Sequence, residues 1–114
     1  MINRSRNTKR QGTMEFLVYK EGDTFVGVCL TFDIVEEGTD PIELMKSIKE
    51  AAMLHLKVVT EKNLSDDLLN RYAPQEYWDR YFNAMEKIKE PGGIVNNFPV
   101  VSPYYHSMAG ALIS

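Results

Sequence analysis

The sequence predicts an α+β fold: a small antiparallel β-sheet in the order β-β-β-α-β, packed on one long helix, with further helices and an extended tail toward the C-terminus. Three patterns carry that expectation. Residues 14–20 and 25–34 are runs of strand-forming residues joined by a glycine-containing turn. Residues 36–56, EEGTDPIELMKSIKEAAMLHL, hold a helix-start signal followed by a single apolar stripe. One helix stripe and one sheet face suffice for a core, and 114 residues suit one domain.

The first 13 residues, MINRSRNTKRQGT, are polar and carry Arg4, Arg6, Lys9 and Arg10. With almost nothing to bury, they are expected to form a flexible basic tail, with Met14 as an alternative start to Met1. The segment MEFLVYK reads as a strand, and EGDT as a turn in which Gly22 is free to take a positive φ. In FVGVCLTFDI, Val26, Val28, Leu30, Phe32 and Ile34 alternate with Phe25, Gly27, Cys29, Thr31 and Asp33. That period of two predicts a strand over 25–34 with one apolar face, forming a hairpin with the first. Gly27 is expected at a bulge or a close backbone approach, and IVEEG supplies a third short strand before Gly38.

Asp40 suits the N-cap of the long helix, Pro41 its first position, and Glu43 the capping-box position three residues on. Leu44, Met45, Ile48, Ala51, Ala52, Leu56 and Val59 then form one stripe, with Lys46, Lys49, Glu50 and Lys57 largely off it. The core unit is therefore expected over 14–62. Residues 63–114 form a C-terminal extension that packs on this core or on a neighbouring subunit. Within it, Ser65 caps a short helix to about Tyr72, Pro74 opens an aromatic-rich helix that ends at EPGG, residues 90–93, and an edge strand lies near 98–102.

Composition excludes several classes. Net charge is −3 with 44% apolar and 25% charged residues, ordinary for a globular protein and unsuited to whole-surface nucleic-acid attraction. A lone cysteine, Cys29, allows no internal disulfide, and no signal-peptide or membrane-spanning pattern is read. A cytoplasmic protein is expected.

No residue pattern specifies catalysis. Cys29 sits mid-strand among apolar residues and reads as a buried thiol. His55 lies beside the helix stripe, and His106 completes the pair of histidines without a zinc spacing. Tyr77, Trp78, Tyr81 and Phe82 could stack bases, but their helical spacing makes them a packing face first. Asp23, Asp33, Glu36, Glu37 and Asp40 cluster around the hairpin exit. Carboxylates at strand ends can hold magnesium, yet a solvated sheet end is the simpler reading. Neither catalytic residues nor cofactors nor metals are assigned.

Residues 14–60 resemble the HicB-like antitoxin domain. Phe32-Asp33-Ile34 matches its hydrophobic-Asp-Ile element and Gly38 its turn glycine, while Leu44, Ile48 and Glu50-Ala51 match its helix pattern. The resemblance implies a truncated ribonuclease H-like fold without its catalytic acids. It also implies a non-enzymatic protein that forms homodimers or higher oligomers and neutralises a small RNA-cleaving toxin of the HicA type by protein–protein contact. Complete members often add a C-terminal DNA-binding domain; residues 61–114 read instead as helices and an extended segment. A basic toxin would be steered by carboxylates, which makes Glu36, Glu37 and Asp33 the expected partner-binding residues. The alternatives are a stand-alone nucleic-acid-binding domain using the basic arm and aromatic helix, and a metal-dependent nuclease using the acidic cluster.

Overall fold

Glu21 and Thr24 close a β-hairpin through a two-residue turn, which Gly22 makes by adopting φ 62°, a value that costs glycine little. The computed structural model describes residues 6–88 and 97–105. Over these the chain forms β1 (Gln11–Glu21), β2 (Thr24–Cys29), β3 (Ile34–Gly38), α1 (Pro41–Glu61), a 3-10 turn (Asp66–Leu69), α2 (Gln75–Ile88) and β4 (Asn97–Tyr105). The strands make one antiparallel sheet in the order β3-β2-β1-β4. The expected α+β class is present, with two helices on a four-stranded sheet. Among the described residues no helix is long and apolar enough to cross a membrane.

The strand expected over 25–34 is two strands. It stops at Cys29, turns through Leu30–Asp33 with Asp33 at φ 58°, and returns as β3. Aspartate is among the few residues that tolerate this left-handed conformation. The reversal divides the supposed single face. Val26, Val28 and Leu30 join a cluster with Trp78, Tyr81 and Ala84 of α2, whereas Phe32 and Ile34 pack with Cys29 and α1. The apolar pattern survives the turn unbroken because both faces of the sheet are apolar.

β1 shows the same two-sidedness. Met14 and Phe16 meet Ile48, Ala52, Leu56 and Val59 of α1, while Leu17 and Tyr19 meet α2. Alternate side chains of a strand point to opposite faces, so a helix covers each side. Of the C-terminal extension, the described elements α2 and β4 lie against the sheet. β4 lies beside β1, antiparallel from Gln11↔Tyr105 to Tyr19↔Asn97, covering the sheet edge that the hairpin leaves open.

α1 begins as its sequence requires. The Asp40 carboxylate accepts hydrogen bonds from the backbone N–H groups of Ile42 (2.9 Å) and Glu43 (3.2 Å), satisfying donors that the first turn leaves unpaired. Leu44, Ile48, Ala52, Leu56 and Val59 are buried, each worth about 1.5–3 kcal/mol relative to exposure for the larger side chains. Leu44 packs directly on Gly27, where an added Cβ would stand 3.0 Å from Leu44 Cγ; Gly27 thus marks a close approach. The short helix expected over 65–72 is only the 3-10 turn, capped by Ser65 Oγ, which accepts from Asp67 N–H.

The N-terminal segment departs most from expectation. Residues 11–13 belong to β1, and Arg6, Asn7 and Lys9 are fastened to the 3-10 turn and to Asn70 just after it; residues 1–5 lie outside the described residues. Asn7 is buried. Its side-chain Oδ1 accepts from Thr13 N–H (2.9 Å), and its Nδ2 donates to the carbonyls of Thr13 (3.1 Å) and Leu69 (2.9 Å). Asn70 reciprocates: its Oδ1 accepts from Asn7 N–H (2.8 Å), and its Nδ2 donates to the Asn7 carbonyl (2.9 Å) and to that of Asp66 (2.8 Å). Lys9 pairs with Asp66 at 2.8 Å and Arg6 with Asp67. Two amides thus imitate strand pairing, and two ion pairs neutralise cations that the sequence alone leaves solvated.

Gly12 makes this strap possible, since a Cβ there would lie 2.4 Å from Asn7 Oδ1 and 2.6 Å from Tyr104 Oη. Gly12→Ala and Asn7→Ala are each expected to lower unfolding free energy by about 1–3 kcal/mol. The double variant should lose less than the sum, because both act on one contact. Urea denaturation measures all three, and a Gly12→Ala protein as stable as the parent would refute the close packing of the strap.

Candidate functional site

The hydrogen-bond ladder decides which strand groups face outward. Leu30 N–H donates to the Glu15 carbonyl at 2.8 Å, and Glu15 N–H donates to Thr31 Oγ1 at 3.4 Å. Odd-numbered residues of β1 therefore direct their backbone toward β2. In an antiparallel ladder, bonded and non-bonded pairs alternate. With the observed registers, Gly27 and Cys29 turn toward β3, and Ile34, Glu36 and Gly38 turn back toward β2. Val35 and Glu37 are left with backbone N–H and C=O pointing off the sheet.

Among the described residues, the outer edge of β3 is thus a short unpaired strand with an acidic setting. Val35 is 46% exposed and Glu37 is exposed. Asp33 stands exposed at the turn that begins the strand. On the helix side, Ser47 Oγ donates to Glu36 Oε1 at 2.7 Å, which fixes the flank of α1 that faces β3. Glu43 and Glu50 lie four residues before and three after Ser47, on that same flank, and both are exposed.

The three acidic residues singled out by sequence are not brought to one point. Glu36 and Glu37 were expected as an exposed pair. The alternation of β3 sends Glu36 toward α1, half-buried and hydrogen-bonded, and Glu37 to the opposite face. Asp33 lies beyond the start of the strand. A cation site built from these three has no common focus, and among the described residues no group of three or more His, Cys, Asp or Glu side chains is placed to hold a metal ion. Asp40 is committed to capping α1.

The other sequence candidates serve packing. Cys29 is buried with its sulfur 3.7 Å from Thr31 Oγ1, and burial pushes its thiol above the ordinary value, so the reactive thiolate is disfavoured. His55 places Nε2 2.6 Å from the Leu68 carbonyl and its ring 5.0 Å from that of Phe32, joining α1 to the 3-10 turn. His106 lies outside the described residues. Trp78 and Tyr81 are buried edge-to-face at 5.8 Å, and Arg80 covers the Tyr19 ring at 4.4 Å. The aromatic stripe is thereby spent on the core rather than offered to bases.

A second surface escaped the sequence reading. Ile42, Met45, Lys46 and Lys49 of α1 face Phe98 and Val100 of β4 across a groove. Its one sequence signal was Ile42, an apolar residue outside the helix stripe. No family model, curated protein or solved structure matches the chain.

Tyr104 ties the strap to β4 by donating its hydroxyl to the Thr8 carbonyl at 2.7 Å. Burial, reinforced by the nearby Asp66 charge, pushes its phenol well above the usual tyrosine value near 10. The folded state therefore holds this proton more tightly than the unfolded chain, whose tyrosines titrate at about 10. The stabilisation is complete below that pH and is lost as pH rises toward the folded value. Tyr104→Phe should cost about 1 kcal/mol at neutral pH, and the gap between parent and variant should narrow above pH ~10. Denaturation midpoints across the alkaline range check this; Cys29, present in both proteins, cancels.

Proposed function

We propose that the protein is a HicB-like, non-enzymatic binding protein that docks a small, basic, RNA-cleaving toxin by protein–protein contact. The observation that carries this reading is the outer edge of β3. It presents unpaired backbone groups at Val35 and Glu37, an exposed apolar side chain, and carboxylates from Asp33, Glu37, Glu43 and Glu50. An exposed strand edge is a template for another chain, and its charge selects a cationic partner.

The coarse order supports the same reading: a hairpin, a third short strand, a long capped helix and a later strand in one sheet. The charge also favours a foreign partner over a second copy at this edge. Two β3 strands paired antiparallel would bring Glu37 against the carboxylates of the other copy, and like charges across a ladder destabilise it. The nucleic-acid reading is weakened, because Arg6 and Lys9 are bound to Asp67 and Asp66, and Trp78 and Tyr81 of the aromatic helix are buried.

Co-expression with the product of an adjacent short reading frame encoding a basic protein tests the proposal. A complex should form, relieve the growth arrest caused by that protein, and weaken with added salt. Glu37→Lys should reduce affinity by about tenfold or more, chiefly through slower association, whereas Glu36→Gln should change it little. The absence of both complex and rescue refutes the function. A complex indifferent to Glu37→Lys refutes the assigned surface.

A further inference from the structure

The groove between α1 and β4 is independent of the β3 edge and has its own chemistry. It arises because α1 packs on β1, β2 and β3, while β4 adds a strand outside β1. The pairs Phe16↔Val100 and Val18↔Phe98 put the Phe98 and Val100 side chains on the face of the sheet that carries α1. Among the described residues, that face is open beyond the helix. Ile42 is 78% exposed and Phe98 39%. The groove measures about 440 Å³, within the range of small-molecule sites.

Among the described residues its lining is almost wholly apolar, from Pro41, Ile42, Met45, Phe98 and Val100, and the charges there are the ammonium groups of Lys46 and Lys49. These lysines are three residues apart, neighbours on one helix flank. No carboxylate is among the described lining residues. A matching ligand has an apolar body and one anionic head.

The geometry points to a binding site for a free aliphatic carboxylate, its chain lying along Ile42, Met45, Phe98 and Val100 and its head between Lys46 and Lys49. A second copy seated groove to groove would crowd four lysines together. A peptide strand added along the groove's lip would meet a poor edge. Even-numbered residues of β1 face β4, so by the observed register Asn97, Pro99, Val101, Pro103 and Tyr105 direct their backbone outward, and Pro99 and Pro103 have no N–H to offer.

Titration of the full ¹⁵N-labelled chain with decanoate, kept below its micelle concentration, tests the site. Saturable shifts should centre on the amides of Ile42, Met45, Lys46, Lys49, Phe98 and Val100. Decyltrimethylammonium, with the same chain and a cationic head, and acetate, with the head alone, should not reproduce them. The double variant Lys46→Glu/Lys49→Glu should weaken decanoate binding by about tenfold or more with unchanged thermal unfolding. Ile42→Glu, at an exposed position, should weaken it as well. Equal binding of the cationic amphiphile, shifts centred elsewhere, or full binding by the lysine variant would overturn the assignment. So would binding of an acidic amphipathic helical peptide where decanoate fails, which would give the groove to a protein segment.

Discussion

β1 is the constraint on which the rest depends. It is paired on both edges, by β2 and β4, and covered on both faces, by α1 and α2. Phe16, Leu17 and Val18 are fully buried as a result. A strand enclosed on all sides needs apolar side chains in succession rather than in alternation, which is what FLV supplies. Four later elements each close one side of this strand. The hairpin closes one edge, α1 one face, α2 the other face, and β4 the last edge.

The local parts of this arrangement are legible in the sequence. The glycine turn, the Asp40–Pro41 helix start and the buried stripe of α1 each follow from contacts within a few residues, and local physics determines them. The single strand expected over 25–34 was misread for a definite reason. Period-two alternation assumes one apolar face, but a sheet covered on both sides keeps hydrophobic residues coming through a reversal. Only Asp33, able to take a positive φ, marked the turn.

The strap was illegible for a different reason. Asn7 and Asn70 are 63 residues apart, and each is an ordinary polar residue in its own neighbourhood. The Asn70 side chain pairs the Asn7 backbone, and the buried Asn7 side chain is satisfied by the backbones of Thr13 and Leu69; a buried amide is costly alone and acceptable when its donors and acceptor are used. Charge in the first ten residues suggests a solvated arm only until Asp66 and Asp67 are brought beside it. The site readings divided in the same way. Single carboxylates were identified, but the opposite directions of Glu36 and Glu37 depend on the strand's pairing, and the groove depends on a strand placed beside β1 from the far end of the chain.

The two outer strands of the sheet are unlike, and the difference assigns them different uses. β4 is the longer edge, and an edge of nine residues is a hazard for uncontrolled pairing. Prolines at two of its outward positions remove donors where a neighbour would need them. β3 carries no proline and is only five residues long. It keeps its outward N–H groups but surrounds them with negative charge. Proline removes donors whatever the incoming sequence, whereas carboxylates reject acidic or self-complementary strands and attract basic ones. On the proposed reading, a sheet guarded at β4 by missing donors and at β3 by charge keeps β3 as the edge to which a chosen partner adds.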